Sequence, residues 1–362
     1  MKMQMIHHSK PSLDREELAA LSRTIRSHHL AAGEEVDRFE REVAKYCGVM
    51  GAVACSSGTA ALHLALLGLG IGKGTEVIIP SFSCASLYQA VNYTGATPVL
   101  ADCDPKTFLL TAETVMNRIS YRTKAIIVPH MFGLPADMDE ITSLGLLVIE
   151  DLAQAMGAIY KEHRTGSFAD VAVTSFYATK MMTTGTGGMV LSNDSKLLKK
   201  VRDLNGIDKK TNLNLHLPYA MNDLQATLGR CQLKKLDGFI KRRRELASFL
   251  NSAFGSLSVE CPSDLPLRTH AFFRYCLKIN QSIEPVIQFL QKKGIKAERP
   301  IFYPLHRLDQ KQPIHPKMDF TGTEEAWMHT ISIPIYPELK DKEIEREASS
   351  LKEALNNDGI DL

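Results

Sequence analysis

The sequence predicts an α/β fold with a mostly parallel central sheet flanked by helices, followed by a smaller α+β C-terminal part. Short apolar runs rich in Val and Ile alternate with helical stretches in the first half of the chain. Such runs are typical of strands that are buried on both faces of a parallel sheet. From about Met221 the pattern changes to one long helix followed by mixed strands and helices. A chain of 362 residues also exceeds what one hydrophobic core usually covers, which favours two lobes.

The predicted elements follow one another in a regular order. The segment GAVACSSGTAALHLALLGLGIG predicts a strand ending near Cys55 and a helix from about Thr59 to Leu69. Further short strands are predicted at EVIIPSF, TPVLADCD, KAIIVPHMFG, GLLVIEDLAQA, DVAVTSFYA and GGMVLSND, each bounded by Gly, Pro or Asp. NDLQATLGRCQLKKLDGFIKRRRELASFLNSAF predicts a bridging helix into the smaller lobe. We therefore expect a large domain over 1–224, and the bridging helix with a small C-terminal domain over 225–362.

Composition limits the classes of function. The chain is 44% hydrophobic and 23% charged with a net charge of +2, so nothing indicates a polyanionic partner. The basic run at 241–244 is typical of the solvated face of a long helix, and we expect no nucleic-acid partner. No apolar run approaches the ~20 residues of a membrane helix, and the N-terminal region lacks the apolar core of a signal peptide. We expect small-molecule chemistry, no membrane partner and a cytoplasmic location.

The seven cysteines lie far apart, without a CxxC pair. This spacing indicates neither a disulfide framework nor a metal-binding knuckle. We expect reduced thiols, most of them buried, and no metal site.

Three groups of residues are predicted to meet at one edge of the sheet, where strands end and helix N-termini point. The first is SSGT at 56–59, whose backbone N–H groups suit a phosphate, although the same residues are equally typical of a helix cap. The second is Asp151, which ends an apolar strand and by itself favours a helix cap. The third runs from Ser175 to Lys180, followed by the glycines of TGTGG. By itself, this lysine is typical of a solvated surface residue.

Taken together, these groups match the requirements of pyridoxal 5′-phosphate. The lysine supplies a Schiff base, the carboxylate keeps the pyridine nitrogen protonated, and the turn at 56–59 holds the phosphate. The lysine must also leave the cofactor and move a proton, which favours small flexible neighbours and a lowered pKa. The sequence therefore predicts Lys180 and Asp151 as catalytic residues.

The chain resembles the DegT/StrS-type (DegT/DnrJ/StrS) sugar aminotransferases, a branch of the aspartate-aminotransferase-like, fold type I pyridoxal phosphate enzymes. The likeness is carried by SSGTAALHLAL, GTEVIIPSF, PHMFGLPADM, IEDLAQAMGA, SFYATK with TGTGGMV, and MNDLQATLGRCQL. It implies a cofactor that passes between pyridoxal and pyridoxamine 5′-phosphate, an amino-acid donor that is usually glutamate, and a nucleotide-linked keto-sugar acceptor. It also implies a homodimer whose active site lies at the subunit interface.

The resemblance gives cofactor-binding roles to Ser57, Gly58, Thr59, Asp151, Gln154, Ser175 and Lys180. Asp151 pairs with the pyridine nitrogen, and Gln154 lies beside the ring near its phenolic oxygen. Gly58, Thr59 and Ser175 hold the phosphate, with Ser57 as a weaker addition. His306 matches a position near the sugar site, and His130 is expected to be a packed core histidine.

Cys84 and Pro218 depart from the family pattern. Cys84 stands where the family has an aromatic ring that stacks on the cofactor, and Tyr88 or Phe82 could replace that ring. Pro218 begins PYAM, where the family has N-x-R-M with an Asn that reaches the partner's phosphate. That contact is either missing or supplied by another asparagine, for which Asn214 and Asn222 are the alternatives.

These departures keep two other functions in view. The first is another pyridoxal phosphate lyase or dehydratase on the same scaffold. Family members that dehydrate sugars carry histidine in place of the lysine, so Lys180 argues against that version. The second is a non-catalytic regulatory dimer, which the departures favour and the intact set of cofactor residues opposes.

Overall fold

The computed structural model describes residues 5–208, 213–308 and 319–356. The helices of these residues are α1 (Arg15–Arg26), α2 (Glu34–Cys47), α3 (Gly58–Gly68), α4 (Ala85–Tyr93), α5 (Ala112–Met116), α6 (Met138–Thr142), α7 (Ser195–Leu204), α8 (Asp223–Phe254), α9 (Ile283–Lys292), α10 (Leu305–Leu308), α11 (Thr321–His329) and α12 (Asp341–Asn356). The strands are β1 (Gly51–Cys55), β2 (Glu76–Pro80), β3 (Thr97–Ala101), β4 (Thr123–Pro129), β5 (Leu147–Asp151), β6 (Ile159–Tyr160), β7 (His163–Arg164), β8 (Val171–Ser175), β9 (Gly188–Ser192), β10 (Val259–Glu260), β11 (Arg268–Thr269), β12 (Tyr275–Ile279) and β13 (Thr330–Ile333).

The central sheet of the described chain has the strand order β1-β9-β8-β5-β4-β2-β3. The neighbouring strands β3, β2, β4, β5 and β8 are parallel to one another, whereas β9 runs antiparallel to both β8 and β1. The connection from β8 to β9 contains no helix, and such a connection suits an antiparallel neighbour because parallel strands need a crossover. The prediction of a mostly parallel sheet flanked by helices is confirmed.

Successive residues of a strand point to opposite sides of the sheet, so these apolar strands present an apolar surface on both faces. Packed segments cover both of these faces. On one face, residues such as Ile79 pack with α3, α4 and α7. On the other, Ala52 and Ala54 of β1 pack with α2 and α8, while Ile78 packs with the segment around the 3₁₀ turn Met131–Gly133. Both faces of the sheet are thus covered, and the carboxyl ends of its parallel strands meet at one edge, where a site can be built.

The C-terminal part has its own core around a sheet of order β10-β12-β13. Apolar side chains from the end of α8, from α9 and from α12 pack on it. The long helix α8 begins with a capping box in which Asn222 and Gln225 each bond the other's backbone N–H group. This helix matches the predicted bridging helix, while the domain division at 224/225 stays a prediction.

The N-terminal segment joins this C-terminal core. Ile6 is fully buried there and forms a parallel bridge with Ile295. Its backbone N–H group donates to the Gly294 carbonyl at 2.8 Å, and its carbonyl accepts from Lys296 at 3.0 Å. Among the described residues, no helix is both long and apolar enough to cross a membrane.

Candidate active site

The carboxyl ends of β1, β5 and β8 lie at one edge of the central sheet. The first residue of β9, Gly188, is paired with Cys55 on one side and with Ser175 on the other. A Cβ atom at Gly188 would lie 2.2 Å from the Ser57 carbonyl oxygen, so only glycine allows the two strand ends to approach this closely. The predicted phosphate turn and the predicted lysine segment are therefore brought together.

The turn after β1 forms the N-terminus of α3. Ser57 is its N-cap, and the Ser57 hydroxyl accepts a hydrogen bond from the Ala60 N–H group at 3.1 Å. The N–H groups of Gly58 and Thr59 have no acceptor among the described residues. These groups, together with the helix dipole, are suited to an anion. The Ser57 side chain therefore serves as the helix cap, while phosphate binding by this turn stays a prediction.

Gly58 and Ser175 form the walls of a small cradle at this turn. A Cβ atom at Gly58 would lie 2.7 Å from Ser175 Cβ and 3.0 Å from Ser175 Oγ. Within the described parts of the chain, the Ser175 hydroxyl oxygen has only a long hydrogen bond of 3.4 Å, from the Tyr177 N–H group. The hydroxyl is therefore available to a ligand that also contacts the Gly58 backbone.

Asp151 ends β5 and is 6% exposed. Its Oδ1 accepts from the Ala153 N–H group at 2.9 Å, whereas Oδ2 has no donor among the described residues. Burial raises the pKa of the Asp151 carboxyl, and the Ala153 N–H group and the charge of Lys180 act in the opposite direction. A free oxygen on a buried carboxylate is what a protonated ring nitrogen requires.

His130 packs behind Asp151 and is fully buried. Its Nδ1 accepts from the Ala136 N–H group at 3.0 Å, so the proton lies on Nε2, which donates to Glu150 Oε1 at 2.9 Å. Glu150 also accepts from the Gly166 and Phe168 N–H groups. The prediction of a packed core histidine is confirmed.

Lys180 follows β8 and places its Nζ 5.0 Å from the centre of the Phe273 ring. Burial lowers the pKa of Lys180; Cys84 and Asp151 act to raise it, and the charge of Arg274 lowers it further. A lowered pKa increases the fraction of neutral amine, which is the form that attacks a carbonyl. This setting agrees with the prediction of a reactive rather than a solvated lysine.

Gln154 is held beside the 3₁₀ turn Met131–Gly133. Its Oε1 accepts from the Phe132 N–H group at 2.8 Å, and its side-chain NH₂ group has no acceptor in the part of the chain that the structure describes. Phe132 has a positive φ of 56°, so this turn is held in an unusual backbone conformation. The contact of Gln154 with a ring oxygen stays a prediction.

The structure shows what occupies the positions that depart from the family pattern. Cys84 is exposed, at the N-terminus of α4. Phe82 is fully buried against Phe108 and Phe132, with ring centres 5.7 and 6.2 Å away, so it cannot supply the missing stacking ring. Tyr88 packs partly buried against the core under α3 and α4.

The segment at 218–221 runs alongside the turn after β1. The Tyr219 carbonyl accepts from the Ser56 N–H group at 2.6 Å, and Pro218 is exposed. Asn222 uses its side-chain oxygen to cap α8 by accepting from Gln225. Residues 209–212 of the preceding loop lie outside the described residues.

His306 belongs to a network of side chains. Its Nδ1 lies 2.7 Å from Ser81 Oγ and its Nε2 lies 2.6 Å from Glu324 Oε1. Its ring stacks on Phe320 with a centroid distance of 4.4 Å. These contacts give His306 a structural role in holding α10 against α11.

No pattern in the sequence points to Phe273 or Arg274. They lie just before β12, within HAFFRYCLKI. The distance in sequence between this segment and residues 151–180 does not predict a contact. The segment reaches Lys180 because the chain turns back toward the central sheet after α8. An arginine at the start of an otherwise apolar run was the only available signal.

The described residues fit pyridoxal phosphate on structural grounds. The cradle at Gly58 has no room for a side chain, and two backbone N–H groups and the Ser175 hydroxyl line it. Asp151 has an unused oxygen, and Lys180 has a lowered pKa at the same sheet edge. Phosphate, ring nitrogen and aldehyde would each meet the type of group they require.

Comparisons with known proteins agree with this geometry. Residues 11–352 match the model of the DegT/DnrJ/EryC1/StrS aminotransferase family. The chain is 36% identical to GDP-perosamine synthase of Caulobacter vibrioides, covering 90% of this chain and 91% of that protein. It is 34% identical to UDP-N-acetyl-3-dehydro-alpha-D-glucosamine 3-aminotransferase of Acidithiobacillus ferrooxidans, covering 96% of both.

The crystal structure of the aminotransferase TlmJ from Streptoalloteichus hindustanus has the same fold, with a TM-score of 0.92 and 30% identity. The structural alignment covers 97% of this chain and 99% of the TlmJ chain. The predicted fold type I architecture is thereby confirmed. This chain belongs to the DegT/DnrJ/EryC1/StrS aminotransferase family.

Proposed function

We propose that this enzyme transfers an amino group from an amino acid, with glutamate as the expected donor, to the carbonyl of a nucleotide-linked keto sugar. The observation that carries the proposal is the position of Lys180, Asp151 and the Gly58–Ser175 cradle at one sheet edge. The names of the two relatives support the acceptor class, because one is a GDP-sugar synthase and the other aminates a UDP-linked keto sugar.

The cofactor is pyridoxal 5′-phosphate, which aminotransferases of this family use. When bound, it withdraws electrons from the carbon that carries the amino group and stores that group as pyridoxamine 5′-phosphate between the two half-reactions. We assign the phosphate to Gly58, Thr59 and Ser175, with Ser57 supporting the turn. Gln154 is assigned to the ring edge.

The chemical roles follow from the two titratable groups. Lys180 would hold the cofactor through Nζ and would move a proton at the substrate carbon, for which its lowered pKa is suited. Asp151 would keep a proton on the ring nitrogen through its unused oxygen. Because Asp151 is buried, water does not weaken this ion pair.

The proposal includes a homodimer with the active site at its interface and a cytoplasmic location. Apolar side chains are exposed in segments that border the site, which supports a contact with a second subunit. Tyr177 is 54% exposed, Leu215 is 58% exposed and Leu213 is fully exposed. Sedimentation of the purified protein at several concentrations would measure the oligomeric state.

The test is a spectral titration of the cofactor-loaded protein. Glutamate alone should convert the cofactor to pyridoxamine phosphate in one stoichiometric step, release 2-oxoglutarate and then stop. A nucleotide-linked keto sugar should restore the starting spectrum. Lys180→Ala should abolish both changes, whereas Lys196→Ala, on the exposed face of α7, should leave them intact.

The alternatives predict different spectra. A lyase or dehydratase would turn over without accumulating pyridoxamine phosphate. A non-catalytic regulatory dimer would give no spectral change with glutamate, glutamine or any other donor. Failure of every amino donor to change the spectrum of loaded wild-type protein would overturn the aminotransferase proposal.

A further inference from the structure

Arg274 approaches the site of Lys180 from the C-terminal part of the chain. The Arg274 guanidinium carbon lies 5.8 Å from the centre of the Phe273 ring, and Lys180 Nζ lies 5.0 Å from the same ring. The backbone N–H group of Arg274 donates to the Phe132 carbonyl at 3.3 Å. Since Gln154 holds the Phe132 N–H group, Arg274 is fixed to the wall that also orients Gln154.

The Arg274 side chain is anchored at one edge only. Its Nη1 donates to Glu298 Oε1 at 2.9 Å, and Glu298 also lies 3.4 Å from His8 Nδ1. Within the described residues, Nε and Nη2 of Arg274 have no acceptor, and the side chain is 23% exposed. The remaining donors of the planar guanidinium are therefore free for a carboxylate, whose geometry they match.

Arg274 also lines a cavity of about 180 Å³ between the two parts of the chain. The aromatic wall of this cavity comes from Phe108 and Phe132. Lys106, Lys278 and Glu260 also line it, and Lys278 is paired with Glu325 at 2.6 Å. Lys180 does not line this cavity; Lys180 and Arg274 share the Phe273 ring instead, and the unpaired edge of the Arg274 guanidinium close to that ring favours a carboxylate.

We propose that Arg274 is the residue that binds a carboxylate of the amino donor and so determines donor specificity. The inference rests on the proposed function, because it places an amino acid next to Lys180. A keto sugar has no carboxylate at the reacting end, so its half-reaction should not depend on Arg274. Glu298 then acts as a positioning residue that holds one edge of the guanidinium.

The test measures binding of glutarate, a dicarboxylate that cannot donate an amino group, by calorimetry on the cofactor-loaded protein. Arg274→Gln should raise the dissociation constant of glutarate about 10- to 100-fold, which is the usual value of a hydrogen bond to a charged group. Wild-type protein should bind glutarate more tightly than neutral glutaramide, and the variant should bind both alike. Arg274→Lys should lose about threefold to tenfold, because the charge remains without the planar donors.

Arg242→Gln is the matched control. Arg242 is 31% exposed and also pairs with carboxylates, Asp341 at 2.7 Å and Glu245 at 3.6 Å, but it lies on α8 and does not contact the Phe273 ring. This control should bind glutarate as the wild type does. In single turnovers with glutamate, Arg274→Gln should raise the half-saturating concentration by the factor seen with glutarate, while the limiting rate changes by less than about threefold.

The outcomes separate this inference from the proposed function. Unchanged glutarate affinity in Arg274→Gln, or in Arg274→Lys if the first variant does not fold, would overturn the role of Arg274. So would the absence of glutarate binding to the wild type. Wild-type protein that binds glutarate through Arg274 but is not discharged by glutamate would refute the aminotransferase proposal and leave the carboxylate site standing.

Discussion

Replacing Gly58 with alanine tests the phosphate cradle by adding one methyl group. The new carbon would lie 2.7 Å from Ser175 Cβ and 3.0 Å from Ser175 Oγ, whereas ordinary contacts begin at 3.4 Å. Ser175 closes β8 and is paired with Gly188, so its backbone cannot move away freely. The substitution must therefore displace the Ser175 side chain or the start of α3.

The magnitude follows from two opposing terms. Overpacking of this kind costs about 1–3 kcal/mol, and alanine returns about 0.5–1 kcal/mol in a helix. We expect the cofactor-free protein to lose between nothing and about 2.5 kcal/mol of stability. Loss of the Ser175 hydrogen bond to a charged phosphate should weaken cofactor binding by about 1.5–3 kcal/mol, which raises the dissociation constant of the cofactor about 10- to 100-fold.

The assay is a fluorescence titration of cofactor-free protein with pyridoxal phosphate, with urea unfolding measured in parallel. Gly238→Ala is the matched control, because Gly238 lies inside α8 with nothing within 4 Å of its Cβ position. That control should gain about 0.5–1 kcal/mol of stability and bind the cofactor normally. Equal cofactor affinity in the two variants would show that the phosphate does not bind at Gly58 and Ser175.

Two further predictions concern buried carboxyl groups. Asp151→Asn should keep the fold and slow the half-reaction with glutamate about 100- to 1,000-fold. The reason is that a shift of two or three units in the ring-nitrogen pKa corresponds to about 3–4 kcal/mol. Near-normal rates with bound cofactor would show that another acid serves the ring. Glu347 of α12 is fully buried, neither of its oxygens has a hydrogen-bond partner within the described structure, and burial raises its pKa well above the usual range. Its folded form therefore keeps a proton that the unfolded chain loses above about pH 4.3, so stability falls as pH rises toward the folded pKa. In urea unfolding, Glu347→Leu should be more stable than the wild type by about 1–3 kcal/mol at pH 8 and by less near pH 4. Replacing the exposed Glu353 with leucine should change stability by less than about 0.5 kcal/mol at either pH. The same pH dependence in both variants would contradict this account.

The sequence predicted the sheet-edge part of the site because each residue there follows a strand. Lys180, Asp151 and the turn at 56–59 end recognisable apolar runs, and parallel strands bring such ends to one edge. Helix α8 was also predicted almost to the residue, since its apolar periodicity is long and Asn222 supplies a clear cap.

The contribution of the C-terminal part could not be predicted in this way. Phe273 reaches Lys180 only because α8 and the following loop return the chain to the sheet, and no local pattern encodes that return. Likewise, the sequence left Phe82 open as a stacking ring, but its packing against Phe108 and Phe132 depends on contacts distant in sequence. Local patterns therefore indicate which strand ends carry chemistry, and tertiary packing decides which side chains face it.

The burial of Ile6 in the C-terminal core sets an order for folding during synthesis. Its partners include Ile295 and the strand β13, which ends at Ile333. At about 5–20 residues per second, the N-terminal segment emerges tens of seconds before those partners exist. Ile6 is thus made long before its native contacts exist, and blocking this segment should impair the C-terminal core while the central sheet forms normally.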